Sequence, residues 1–196
     1  MKTLWLKISF VAATSFFALA CTPHSVTRIS SDQQTDLSGR WNDTDSKLVA
    51  EEMSKDAIGR AWRSNFMGSK KKNPTIIVGS ISNKSHEHIE SETFIKDIQR
   101  EFINSGTVRV VQNSELREAI RKERGDQQQF SSPETQKKFG RELGADYMMF
   151  GTINSIVDTY QNKKVVYYQI NLELADLETN ELVWIGEKKI KKFINN

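Results

Sequence analysis

His86 and His88 stand two residues apart, with Glu87 between them and Glu90 just beyond. Imidazoles and carboxylates in such proximity could ligate a metal, but a zinc site needs further ligands at recognisable spacing. None shows that spacing, so this stretch reads as a solvated loop able to serve as a contact surface. The chain contains no Gly-x-Ser-x-Gly, no phosphate-binding glycine loop, no His-Glu-x-x-His and no cysteine pair. The third histidine, His24, lies in a polar segment. No persuasive catalytic set emerges, and neither a cofactor nor a small-molecule substrate is expected. The densest basic stretch, Lys188-Lys189-Ile190-Lys191-Lys192, suits an edge strand, where lysines discourage edge-to-edge pairing. Its alternative use is contact with an acidic partner or an anionic glycan.

Cys21 is the single cysteine among 196 residues. Lys2 and Lys7 precede an almost wholly apolar run from Ile8 to Leu19, and Ala18-Leu19-Ala20 leads into the cysteine. A charged start, a short apolar run and small residues describe a signal peptide. The run is about 12 residues, too short for the roughly 20 of a spanning helix. With a cysteine at the cut, the segment resembles a bacterial lipoprotein lipobox, although Ala18 stands where a larger aliphatic residue is usual. That resemblance implies acylation of Cys21, a membrane anchor of several chains, and an outer-membrane, periplasm-facing location, since Thr22 follows rather than Asp. Residues 1–20 are then the signal peptide, and 21–35 a lipidated tether rich in Ser, Thr and Gln. About 15 residues stretch to roughly 50 Å.

The formal charge of +3 falls to +1 once Lys2 and Lys7 are removed. A charge-mixed surface gives no electrostatic case for nucleic acid. Without a second cysteine no intramolecular disulfide can staple the fold, so residues 36–196 must form a core of their own.

Within that stretch, Asp36 to Asn42 is a turn-rich entry, and Asp43, Asp45 and Ser46 offer helix N-caps. Leu48, Val49, Met53, Ala57, Ile58, Ala61 and Trp62 recur at helical spacing, predicting one helix to about Phe66. Gly68 to Pro74 reads as a linker, Thr75 to Ile81 as a buried strand and Ser82 to Ile89 as a loop. A helix follows over 91–105, with Phe94, Ile95, Ile98, Phe102 and Ile103 on one face and Gly106 as its stop. Val108 to Val111 is a second strand, and a charged helix runs from Ser114 to about Glu123. Asp126 to Phe130 reads as loop, and Ser132-Pro133-Glu134 starts another helix reaching Leu143. Tyr147 to Val157 is strand-like. Val166, Tyr168, Ile170, Leu172 and Leu174 alternate with wetter neighbours, and a turn at Glu178-Thr179-Asn180 leads into Leu182 to Ile190. Helices interleaved with strands before a closing meander predict one α/β domain with a mixed, mostly antiparallel sheet flanked by helices. Trp41, Trp62 and Trp184 read as core anchors.

Several stretches, in order, resemble the LpoB family of penicillin-binding-protein activators. They are Asp36-Leu37-Ser38-Gly39-Arg40-Trp41-Asn42-Asp43-Thr44-Asp45-Ser46; Ile77-Val78-Gly79-Ser80-Ile81-Ser82-Asn83-Lys84-Ser85 with Thr93-Phe94-Ile95-Lys96-Asp97; Leu143-Gly144-Ala145-Asp146-Tyr147; and Glu178-Thr179-Asn180-Glu181-Leu182-Val183-Trp184. The resemblance implies a domain like the N-terminal domain of TolB, without an active site. It also implies an outer-membrane lipoprotein that touches a bifunctional class A penicillin-binding protein and stimulates peptidoglycan synthesis. Well-known members carry a long proline-rich tether, whereas Thr22 to Thr35 is short and proline-poor. Loop position makes Asn83, Lys84, His86 and His88 the candidate partner-binding residues. The alternative role is an accessory subunit of a CsgG-like outer-membrane secretion assembly.

Overall fold

The computed structural model describes residues 25–31, 33–130, 132 and 142–195. The predicted signal peptide, Cys21, the start of the tether and most of the helix predicted from Ser132 to Leu143 lie outside the described residues. Residues 34–196 form one compact unit. Among the described residues no helix is long and apolar enough to cross a membrane.

The unit comprises α1 (Asp43–Ile58), α2 (Ala61–Lys70), β1 (Thr75–Lys84), α3 (Ser91–Ser105), β2 (Arg109–Val111), α4 (Ser114–Phe130), β3 (Tyr147–Tyr160), β4 (Lys163–Asp176) and β5 (Leu182–Asn195). The strands form one sheet in the order β2-β1-β3-β4-β5. β1 runs parallel to β2 and β3, while β3, β4 and β5 pair antiparallel along nearly their whole length. The sheet is therefore mixed and mostly antiparallel, with α1 and α3 packed on one face. This is the architecture that the interleaved helix and strand periods predict.

Alternation along β4 sends Val166, Tyr168, Ile170, Leu172 and Leu174 into the core, all fully buried. Phe94, Ile98 and Phe102, spaced four apart on α3, meet them together with Val49, Ala50, Met53 and Ala57 of α1. Gly151 is required where β3 faces β4, because a Cβ there would stand 2.2 Å from the Asn171 carbonyl oxygen.

Several expectations need correction. The N-cap of α1 is Asn42, one residue before the expected caps, and Asp43 and Asp45 lie inside the first turn. The long first helix is two helices: Gly59 caps α1, Arg60 is extended, and Trp62 Nε1 donates to the Ala57 carbonyl at 2.7 Å. After the break, Trp62 and Phe66 pack edge-on against Tyr147. Gly68 to Lys70, read as linker, close α2, and Leu48 and Ile103 are exposed beside their buried faces. Ser82 to Lys84 are strand, since the long β3 supplies backbone partners whatever the side chains are. Asp126 to Phe130 continue α4, whose Glu118–Arg121 ion pair and Glu123–Gln127 hydrogen bond support an otherwise exposed helix. β3 and β5 also run further than their apolar residues suggest, to Tyr160 and Asn195.

Candidate contact surface

The loop after β1 is held from both sides. Asn83 Nδ2 donates to the Glu87 carbonyl at 2.7 Å, and its Oδ1 accepts from the Ser85 N–H at 2.9 Å. The backbone N–H of His86 donates to Ser155 Oγ at 3.0 Å, and His86 Nδ1 lies 2.7 Å from that same oxygen. His86 Nε2 faces Glu87 Oε1 at 3.2 Å. Ser155 can donate its proton to Nδ1, whereas Glu87 Oε1 is buried without a well-formed hydrogen bond. A serine, a histidine and a glutamate thus lie in line. Both contacts to Ser155 tie the loop to β3 across 69 residues. The arrangement is a staple.

Beneath the loop lies a layer that connects it to the entry segment. Glu87, with its side chain only 9% exposed, accepts from the Trp41 N–H through Oε2 at 3.0 Å. The indole of Trp41 donates to Ser46 Oγ at 2.8 Å and meets Phe94 and Tyr168 edge-on. Tyr168 is fully buried and stacks under the His86 ring. Its hydroxyl lies beside the Glu87 carboxylate without a well-formed hydrogen bond; burial, then that negative charge, push phenol ionisation well upward. An unsatisfied buried hydroxyl is costly. Tyr168→Phe is therefore expected to change the unfolding free energy by less than about 1 kcal/mol in urea titration. A loss above about 2 kcal/mol would mean that the hydroxyl has a real partner.

The entry segment is locked to the sheet edge. Asn42 caps α1 in a reciprocal capping box with Asp45. Lys192, at the end of β5, reaches Asp45 at 2.6 Å, Asp36 at 2.9 Å and the Arg40 carbonyl at 2.9 Å. Asp36 also accepts from Asn42 at 2.6 Å. Hydrogen bonds from Lys192, Gln34 and Asn42 hold its carboxyl at about 2. Burial alone would depress the Lys192 ammonium, but Asp45 and Asp36 outweigh it and raise it. Gly39 adopts φ +66°, and a Cβ there would collide with Ile194.

At the opposite end of the sheet, a groove of about 810 Å³ is lined by Trp62, Phe66, Tyr147, Asp146, Asp176 and Glu181 among others. Two of its acids serve the fold. Asp146 accepts from the Thr75 N–H and pairs with Lys72, and Asp176 accepts from the N–H groups of Glu178 and Thr179.

The four candidate contact residues cluster at one end of the sheet but differ in freedom. Asn83 is occupied inside the loop and His86 is held through its backbone N–H and Nδ1, while Lys84 and His88 are exposed. Of the basic run on the outer strand, Lys188 pairs with Glu52, Lys189 with Glu187 and Lys192 with two aspartates. Trp62 and Trp184 are buried and Trp41 is half-buried, as anchors should be. Sequence reasoning missed Ser155, Glu87 and Tyr168 as loop supports. The buried alternation of β4 marks Tyr168, but nothing local marks Ser155, which meets His86 across 69 residues.

These features define a class: a mixed five-stranded sheet with helices packed on one face. The family model "Peptidoglycan-synthase activator LpoB" matches residues 45–190, so the chain belongs to the LpoB family of peptidoglycan-synthase activators. Among solved structures it is similar to the LpoB C-terminal domain from Escherichia coli, at 15% identity and TM-score 0.45, covering 76% of this chain and 99% of that one. The NMR structure of E. coli LpoB matches at 15% identity and TM-score 0.37, covering 89% and 83%. The PelC dodecamer from Paraburkholderia phytofirmans matches at 15% identity and TM-score 0.36, covering 62% and 74%. No curated protein sequence matches the chain.

Proposed function

We propose that this chain is a periplasm-facing outer-membrane lipoprotein, anchored through Cys21, that binds and activates a bifunctional class A penicillin-binding protein by contact alone. The carrying observation is the family match across residues 45–190. The stapled loop supports it, because a rigid surface loses little entropy on docking. In this reading residues 1–20 are removed, 21–35 form the tether, and 36–196 are the domain that touches the synthase. The loop end, with Lys84 and His88 outward, forms part of that contact. The activator shifts its synthase by binding the active conformation more tightly; each tenfold preference corresponds to about 1.4 kcal/mol. The pore-subunit alternative draws no support from the family match.

The test adds purified full-length protein, in detergent, to each class A synthase of the same organism and follows glycan polymerisation and crosslinking. A severalfold rate increase with one synthase is expected, with no turnover by the chain alone. His88→Ala should weaken the stimulation without lowering the melting temperature. Absence of binding and of rate change with every synthase would overturn the reading.

A further inference from the structure

One face of the sheet carries α1 and α3; the other does not. Along β3, β4 and β5 the side chains on that second face fall into rows fixed by the strand register. Ile156, Tyr167 and Lys191 stand side by side, then Asp158, Val165 and Phe193, then Tyr160, Lys163 and Asn195. Ile156 is 66% exposed, Tyr160 73% and Phe193 65%, with Val165 and Tyr167 half-buried between them. Alternation explains the placement: their neighbours Tyr168 and Val166 point into the core, so these residues must point away. The row before Ile156 runs Lys84, Asn154, Gln169 and Lys189. An apolar patch therefore lies among Lys84, Lys163, Lys189 and Lys191, with Asp158 the one carboxylate in these rows. Among the described residues Lys84 and Lys191 have no ion pair, and Lys189 is matched by Glu187.

We propose that this end of the open sheet face is the main docking surface for the synthase, and that it takes a protein surface with an apolar centre and an acidic rim. This rests on the activator reading above and assigns that contact a place and a chemistry. Large exposed apolar side chains grouped on one face mark interaction sites, and aromatic residues supply most of the energy at protein contacts. The lysines decide the sign of the partner. A second copy of this chain would bring two surfaces with an excess of lysine over acid together, whereas an acidic rim would be attracted. Lys84 joins this face to the loop bearing His88, so loop and face form one continuous surface.

The experiment measures binding of the full chain to the class A synthase that it stimulates, comparing wild type with Phe193→Glu and with Lys84→Glu/Lys191→Glu. None of these side chains lies in the core, so thermal unfolding should match wild type and serve as the folding control. Phe193→Glu is expected to weaken binding about tenfold or more. The double charge reversal should weaken it at low salt, with the difference shrinking as salt rises. Wild-type binding that survives Phe193→Glu unchanged would overturn this inference and leave the activator reading standing. Failure of wild type to bind any synthase would sink the activator reading itself. Wild type that self-associates through Phe193, or sediments with phosphatidylglycerol vesicles through Phe193, while its synthase binding is insensitive to the variant, would also overturn the assignment.

Discussion

Trp41→Ala is expected to lower the unfolding free energy by about 3 kcal/mol, measured by urea denaturation of the full chain. Trp41 does several jobs at once. Its ring packs edge-on against Phe94 and Tyr168, its indole N–H donates to Ser46, and its backbone N–H donates to Glu87. Truncation removes the ring contacts and leaves a hole at the junction of α1, α3 and β4. It also loosens the layer beneath the His86 loop, so stimulation of the synthase should fall with stability. Trp41→Phe separates the two contributions. It keeps an aromatic ring and loses the bond to Ser46, so a cost nearer 1 kcal/mol is expected. Equal costs for the two variants would show that the hydrogen bond, not the ring, supplies the stabilisation.

Lys192→Met is expected to cost about 2–3 kcal/mol, with a fall in melting temperature of about 5–10 °C. Removing the ammonium leaves Asp45, a largely buried carboxylate, without its cation. The full penalty for breaking a buried pair is tempered because Asp36 is 39% exposed and water can take over part of its solvation. The double variant Lys192→Met/Asp45→Asn should be more stable than the single variant, because it no longer buries an uncompensated charge. A single variant within about 0.5 kcal/mol of wild type would mean that the network contributes nothing. The pH dependence follows from Asp36. Its folded value of about 2 lies below its ordinary 3.8, so its contribution is present above about pH 4 and is lost as the pH falls through that interval toward 2. Asp36→Asn should flatten that part of the acid-stability curve, and an unchanged curve would show that Asp36 does not contribute.

The motifs that make the family resemblance legible turn out to be mainly structural. Trp41, Asn42, Asp45 and Ser46 build a helix start and a lock, Asp146 ties β1 to β3 through Thr75, and Asn180 takes the left-handed backbone of the last hairpin. Such residues are readable in the chain because capping and turn chemistry act over a few positions. The exposed face is different: Ile156, Tyr160 and Phe193 look like ordinary strand apolar residues, and only the register shows that they gather outside the core.

The amino-acid order by itself determined what depends on near neighbours: the helix and strand periods, the buried alternation of β4, the stop at Gly106, the family, and a mixed sheet as the consequence. Tertiary structure alone decided the break at Gly59, the pairing of Lys192 with acids about 150 residues earlier, the support of His86 by Ser155, and which strand face stays uncovered. The physical reason is range. Propensity and capping involve groups a turn apart, whereas ion pairs, staples and exposed faces arise only when packing brings distant segments within a few ångströms.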